Sequence, residues 1–369
     1  MARAGLGPAW QCLYANDFDP KKVAAYRSNW GSEEIRLGDI RAISSDDMPG
    51  HANLAWASFP CQDLSLAGNG AGLNGERSVT FWEFWRVIDG LKIEHRSPRV
   101  LVLENVAGAL TSNDGRDFQE LCHALHLLGY VYGALTIDAV HFLPQSRPRL
   151  FIMAVLKGHP IPHELLANEP SRPWASDALK RAQAKLRSDL RKDWRWWRLP
   201  HATRSSIRFA DLIEPDPRDV RWHSPGETKR FLSMMSEQNR IKVERAKSSG
   251  KREVGGIYRR TRLDADGTKV QRAEVRFDDV AGCLRTPGGG SSRQFIMVVE
   301  GDSVRTRLLS GREAARLMGL PDEYKLPANY NEAYHLLGDG LVVPVVRYLA
   351  ENLLAPLLGQ NREFAIAAE

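Results

Sequence analysis

The sequence predicts an α/β protein built on a doubly wound parallel sheet, with a smaller irregular domain set into it. Three observations carry that prediction. From Gln11 to Val155 short apolar runs alternate with helical patterns. From about Leu156 to Val298 the alternation gives way to Pro-, Arg- and Trp-rich sequence. Helical order then returns after Ser310.

In chain order, the first apolar run is Cys12-Leu13-Tyr14-Ala15, followed by the polar Asn16-Asp17-Phe18-Asp19. Asn53 to Ser58 reads as a buried strand, and Pro60 ends it by fixing φ and removing an N–H. Cys61 then lies at the carboxyl end of that strand, where open α/β sheets bind ligands. Arg99 to Leu103 is a second buried run, ending in Glu104-Asn105-Val106. Gln145-Ser146-Arg147-Pro148-Arg149 leads into a third, Leu150 to Val155. Between these two, Asp117 to Leu128 has apolar residues at helical spacing and stops at Gly129, which puts Cys122 in the core. His123 and His126 lie three apart but have no third ligand nearby, so a half-buried or surface place suits them better than a metal site.

In the irregular region, Asp193-Trp194-Arg195-Trp196-Trp197-Arg198 allows two readings, aromatics that stack on bases or the core of a small domain. Ser236 to Arg252 reads as a cation-rich helix, and Val254 to Arg285 as strands joined by the turn Asp264-Ala265-Asp266-Gly267. Pro287 to Gln294, with three glycines and Arg293, is either a plain linker or a loop whose backbone approaches a groove. Ser310-Gly311-Arg312-Glu313 is a capping box opening a helix that closes at Met318-Gly319. The apolar stretch from Val342 to Leu358 reads as a last helix, with Pro344 in its first turn.

The chain has 369 residues, 43% of them hydrophobic, which is enough for a real core. No apolar run approaches the ~18 residues that span a bilayer and no secretory h-region opens the chain, so a cytoplasmic protein with no membrane partner is expected. Cys12, Cys61, Cys122 and Cys283 are scattered without metal-ligand spacing, so no metal and no disulfide framework are expected. The net charge of +6 hides an asymmetry. Between Lys157 and Glu300 there are 30 Lys and Arg against 19 Asp and Glu, and elsewhere 21 against 26. A contiguous basic segment is what a polyanion-binding module needs, because neutralised phosphates release counterions.

Pro60-Cys61-Gln62, Glu104-Asn105-Val106 and Gln145-x-Arg147-x-Arg149, in this order, resemble motifs of the DNA (cytosine-5) methyltransferases. Arg312 to Pro321 and Gly338 to Val345 are similar to that family's C-terminal motifs. The resemblance implies a Rossmann-like S-adenosylmethionine-dependent sheet over residues 1–156, a target-recognition domain over 157–300, and a return to the catalytic domain over 301–369. The family begins with a strand and a Phe-x-Gly-x-Gly loop, whereas Met1 to Gly7 resembles the helix after that loop, so the first strand is expected to be missing.

Cytosine is not electrophilic at C5, and methylation there requires a nucleophile to add first at C6, for which a thiolate is suited. The resemblance implies that role for Cys61. Arg147 is the candidate for the positive charge that favours its thiolate, and a protonated Glu104 at N3 would relieve charge on the ring. A structural ion pair is the alternative for Glu104. Arg147 and Arg149, alternating around Pro148, are expected on one side, fixing the cytosine O2, a phosphate or Glu104. Gln62, Ser65, Asn105, Gln145 and Arg293 are the expected substrate contacts, with Asn105 also holding the loop after Cys61. The target base must leave the duplex to be reached. Asp17, Phe18, Asp39, Ile40, Pro60 and Asp339 are the residues the resemblance assigns to S-adenosylmethionine, although the family usually has asparagine where Asp339 stands.

The resulting expectation is a monomeric DNA methyltransferase, with a cognate restriction endonuclease as a separate companion. Two rival readings are a truncated relative that only binds DNA and an RNA cytosine-5 methyltransferase, and the long basic insertion favours DNA over RNA.

Overall fold

The structure, a computed structural model, describes residues 1–59, 79–203, 205–263, 267–286 and 293–359. Pro60, Cys61, Gln62 and Ser65, the turn residues Asp264 to Asp266 and the loop from Pro287 to Ser292 lie outside the described residues. The chain divides into two compact units. The first runs from Leu6 to Asp138, from Pro148 to His201 and from Arg347 on; the second is Met1–Gly5, Ala139–Arg147 and Ala202–Val346.

The first unit holds β1 (Ala15–Asp17), β2 (Ile35–Leu37), β3 (Leu54–Ser58), β4 (Val100–Val106), β5 (Tyr130–Asp138), β6 (Pro148–Leu156), β7 (Leu166–Ala167) and β8 (Trp196–Trp197). Its main sheet has the order β3-β4-β6-β5, while β1 and β2 form a separate parallel pair. The apolar runs read from the sequence become β3, β4 and β6, but the sheet is mixed, which corrects the expectation of an all-parallel one. Only β3 and β4 are parallel, and β6 runs antiparallel to both β4 and β5. The short segment Ala139–Arg147 between β5 and β6 cannot make the crossover that parallel neighbours need.

One face of this sheet presents Leu101, Leu103, Leu150, Ile152 and Ala154 to the helices Val79–Ile93 and Arg116–Leu127, in a core that includes Phe81, Ile88, Leu121 and Cys122. Burial pushes the Cys122 thiol well up. Gly129 follows its helix with φ 85°, the left-handed conformation glycine adopts at low cost.

The boundary expected at residue 156/157 does not coincide with a unit boundary. Residues 157–201 are stitched to β5: Tyr132 N–H donates to Asp193 O, Arg195 N–H to Tyr132 O, and the Tyr132 hydroxyl to Leu190 O. The fit is tight enough that a Cβ on Gly133 would lie 1.9 Å from Arg195 O. Trp194 and Trp197 are buried against this strand, so of the two readings of the tryptophan cluster the structure supports core. His126 Nδ1 lies 2.6 Å from Asp193 Oδ2.

In the second unit, β9 (Arg252–Leu263), β10 (Lys269–Arg276), β11 (Phe295–Glu300) and β12 (Ser303–Leu308) form an antiparallel sheet in the order β10-β9-β11-β12. Ile257, Ala273, Val275, Phe295, Met297 and Val299 pack with Val243 and Ala246 of the helix Glu237–Ser248. The boundary expected at 300/301 also shifts, since residues 301–346 stay with this sheet. The capping box at Ser310 forms as read, and Glu313 then continues inward to Arg307 at 2.6 Å, both side chains fully buried. Arg307 also donates to Glu214 O, and Glu214 N–H to Glu313. Tyr330–Leu357 is long and apolar enough by composition to cross a membrane, but Leu337, Val346, Leu349 and Leu353 are buried within the protein.

Removing one member of a buried ion pair strands the other. Glu313→Ala is therefore expected to lower the unfolding free energy by roughly 3–5 kcal/mol in urea titration. A loss below about 1 kcal/mol would contradict the central place given to this pair.

Candidate active site

The last residues of β4 alternate between the two faces of the sheet. Glu104, 8% exposed, shares a face with Arg149, because Arg149 sits opposite Val106 in the antiparallel register and lies diagonal to Glu104. Arg149 Nε is 3.3 Å from Glu104 Oε1. Asn105 turns the other way. Its Nδ2 donates to Phe59 O at 2.9 Å, and its Oδ1 accepts from Val106 N–H at 2.8 Å. The amide is thus engaged with backbone at both ends, at Phe59 O and at its neighbour Val106 N–H.

The Gln-x-Arg-x-Arg motif divides its labour. Gln145 is fully buried, with Nε2 donating to Leu317 O at 2.6 Å and Oε1 accepting from Leu284 N–H. This corrects its assignment as a substrate contact: an amide sealed from solvent and bonded to two backbone groups is a latch. Arg147, 3% exposed, donates to Leu284 O, Gly338 O and Gly340 O, each at 2.7 Å. Arg147 and Arg149 therefore do not act as a pair on one partner, as the sequence suggested. Arg147 clamps carbonyls of the second unit, and Arg149 is the arginine that meets the carboxylate.

Four of the residues assigned to S-adenosylmethionine gather where β1 and β2 end in parallel. Asn16 Nδ2, which the sequence reading gave no role, donates to Gly38 O at 2.9 Å and ties the two ends together. Asp17 uses one carboxylate oxygen to accept Asp19 N–H. Phe18 is 73% exposed. Asp39 caps the turn beginning at Ile40, and hydrogen bonds from the Arg41 side chain and backbone hold its carboxyl below the usual range. A carboxylate that can accept from a ribose diol, beside an uncovered aromatic ring that a purine can stack on, fits the nucleoside half of the group. Asp339 is exposed and accepts from Thr286 Oγ1; Thr286 is a partner the sequence gave no signal for. Arg293 stacks over Tyr330, with its guanidinium 5.8 Å from the ring centre, and bonds Asn331. Among the described residues, no group of three or more His, Cys, Asp or Glu is arranged to hold a metal ion.

Residues 1–355 match the family of C-5 cytosine-specific DNA methylases. The chain belongs to that family. It is a DNA (cytosine-5-)-methyltransferase, and the family's activity implies S-adenosylmethionine as methyl donor. Among its relatives are the type II methyltransferase M.DsaV of Dactylococcopsis salina, 27% identical over 96% of this chain and 83% of the relative, and M.HhaI of Haemophilus parahaemolyticus, 24% identical over 93% and 87%. The fold is similar to those of S. pombe Dnmt2, with TM-score 0.56 and 17% identity over 96% of this chain and 93% of that one, and of the Entamoeba histolytica methyltransferase EhMeth, with TM-score 0.58 and 15% identity over 94% and 90%.

If Asn105 holds the approach to the nucleophile, Asn105→Ala leaves a buried carbonyl at Phe59 unsatisfied. The expected cost is about 1–3 kcal/mol in denaturant unfolding, with a fall in methyl-transfer kcat at temperatures where the variant is fully folded. An unchanged kcat in the folded variant would contradict the assignment.

Proposed function

We propose that this methyltransferase works through a covalent bond between Cys61 and C6 of a cytosine turned out of the duplex. The observation that carries the reading is Glu104 and Arg149 side by side at the end of β4, with Asn105 holding the chain two residues before Cys61. Cys61 Sγ adds to C6, and the ring electrons shift toward C5 and N3, where a proton from Glu104 neutralises them. Arg149 orients that carboxyl and offers guanidinium N–H groups toward the base. S-adenosylmethionine, when bound, supplies an electrophilic methyl carried on a sulfonium, and Asp17, Phe18, Asp39 and Ile40 are the residues that would hold its nucleoside. With the methyl on C5, a water molecule takes the C5 proton, its electron pair re-forms the C5–C6 double bond as Cys61 departs as thiolate, and N3 returns its proton to Glu104. The second unit, with its basic sheet, is the target-recognition module, and a separately acting restriction endonuclease is the companion the type II relatives suggest.

We also infer that the sheet is completed by one more parallel strand between β1 and β3. Among the described residues each of these strands is paired on one side only. β3, with Leu54, Ala55, Trp56 and Ala57, is half-exposed where its neighbour β4 is buried. A Phe-x-Gly-x-Gly loop at the end of such a strand would supply the methionine half of the donor site.

Two measurements test these readings. With duplex DNA carrying 5-fluorocytosine, which cannot lose a C5 proton, the wild type is expected to form a complex that survives denaturing gels, and Cys61→Ser none; turnover by Cys61→Ser would end the covalent reading. Adding the strand and loop at the N-terminus is expected to tighten S-adenosylmethionine binding in calorimetry at least tenfold, and equal affinity with and without it would refute the completed sheet.

A further inference from the structure

The segment from Asp39 to Gly50 joins the end of β2 to β3 and carries the turn at Ile40. It contains only two single-turn helices, Ile40–Ala42 and Ser45–Asp47, so much of its backbone lies outside regular structure and its carbonyls need partners from elsewhere. One side of the helix Val79–Ile93 supplies them. Glu83, Arg86, Gly90 and Glu94 recur at intervals of three and four, which sets them in a row along that helix and just past its end. Phe81, Ile88 and Leu91 enter the core from another side of it.

Each member of the row meets the segment differently. Arg86 Nη2 donates to Ile43 O at 2.6 Å and lies 3.5 Å from Ile40 O and 3.4 Å from Arg41 O. Glu83 accepts from Arg86 Nε at 2.7 Å, which fixes the plane of the guanidinium. Gly90 lets the segment come close, since a Cβ there would lie 2.7 Å from Ser45 Oγ. Glu94 accepts from Ser45 Oγ and, at 2.8 Å, from Arg96 Nε. Arg96 in turn donates to Ser45 O at 2.8 Å, Met48 O at 2.7 Å and Gly50 O at 2.9 Å. The segment is thus gripped at both ends by planar forks, Arg96 toward β3 and Arg86 at the turn. Asp39, Arg41 and Ala42 are exposed, so the turn has little packing of its own to keep it in place. A fork that takes carbonyls of one turn fixes its orientation as well as its position.

We propose that Arg86 is a positioning residue for methyl-donor binding, holding the Asp39–Ile40 turn in the place where it receives the nucleoside, while Gly90 and Arg96 seat the rest of the segment on the same helix. The proposal rests on the assignment of Asp39 and Ile40 to S-adenosylmethionine and adds to it a residue outside every motif. A turn ordered before the ligand arrives binds it at a smaller entropic cost.

Hydrogen exchange and donor titration on the full chain test it together. The backbone N–H groups of Arg41, Ala42 and Ile43 are bonded within the turn, so their exchange in the donor-free protein reports its opening. Arg86→Met is expected to speed that exchange about fivefold or more, with β4 and β6 exchanging as in the wild type. It is also expected to weaken S-adenosylmethionine in calorimetry about fivefold to tenfold, as loss of a hydrogen bond from a charged group does. KM for the donor rises by the same factor while KM for DNA and kcat at saturating donor hold, a split that general loss of structure does not produce. Arg86→Lys, which keeps one charged donor for Ile43 O, is expected to recover part of the affinity. Unchanged exchange over the turn in Arg86→Met would overturn the proposal. So would faster exchange with wild-type donor affinity when Asp39→Ala does weaken the donor. If neither Arg86→Met nor Asp39→Ala alters donor affinity, the assignment of the turn to the donor fails and the positioning role falls with it.

Discussion

A carboxylate at the tip of a fully buried strand is costly unless a cation meets it, and here the cation is delivered by strand direction. Because β6 runs antiparallel to β4, Arg149 falls diagonal to Glu104 on the same face. A parallel neighbour would have placed the start of β6 at the far end of β4. The same two-residue period sends Asn105 to the opposite face, where it bonds Phe59 O. Two adjacent residues thus face opposite ways, Glu104 toward Arg149 and Asn105 toward the backbone of Phe59.

The second unit is organised by buried cations of another kind. Arg147 gathers three carbonyls from Leu284, Gly338 and Gly340, and Gln145 joins Leu317 to Leu284. These bonds bring three distant stretches of sequence to one place within the second unit. Arg307 and Glu313 do the same for the segments after Glu214 and Ser310.

What was legible in the sequence was what local pattern determines. The buried runs that became β3, β4 and β6, the helix ended by Gly129 and the capping box at Ser310 all follow from periodicity and end signals. The reading of Met1 to Gly7 as helix agrees with the helix Ala2–Leu6, where a Cβ on Gly5 would lie 2.3 Å from Val346 Cβ, so this glycine serves close packing. Strand direction was not legible, because an apolar run looks the same whichever way it is laid. The fates of Arg147 and Arg149 were hidden for a related reason: two arginines separated by one proline are alike in sequence, and only distant carbonyls distinguish them. The tryptophans near Arg195 are ambiguous in composition, and the backbone of β5 resolves them.

The half-exposed β3 bears on how the protein behaves in bulk. Among the described residues β3 is paired on one side only, and such an edge with the sequence Leu54-Ala55-Trp56-Ala57 is a template for pairing with another extended chain, including a second copy of itself. A segment that pairs with that edge would remove the row of backbone groups through which two copies could join.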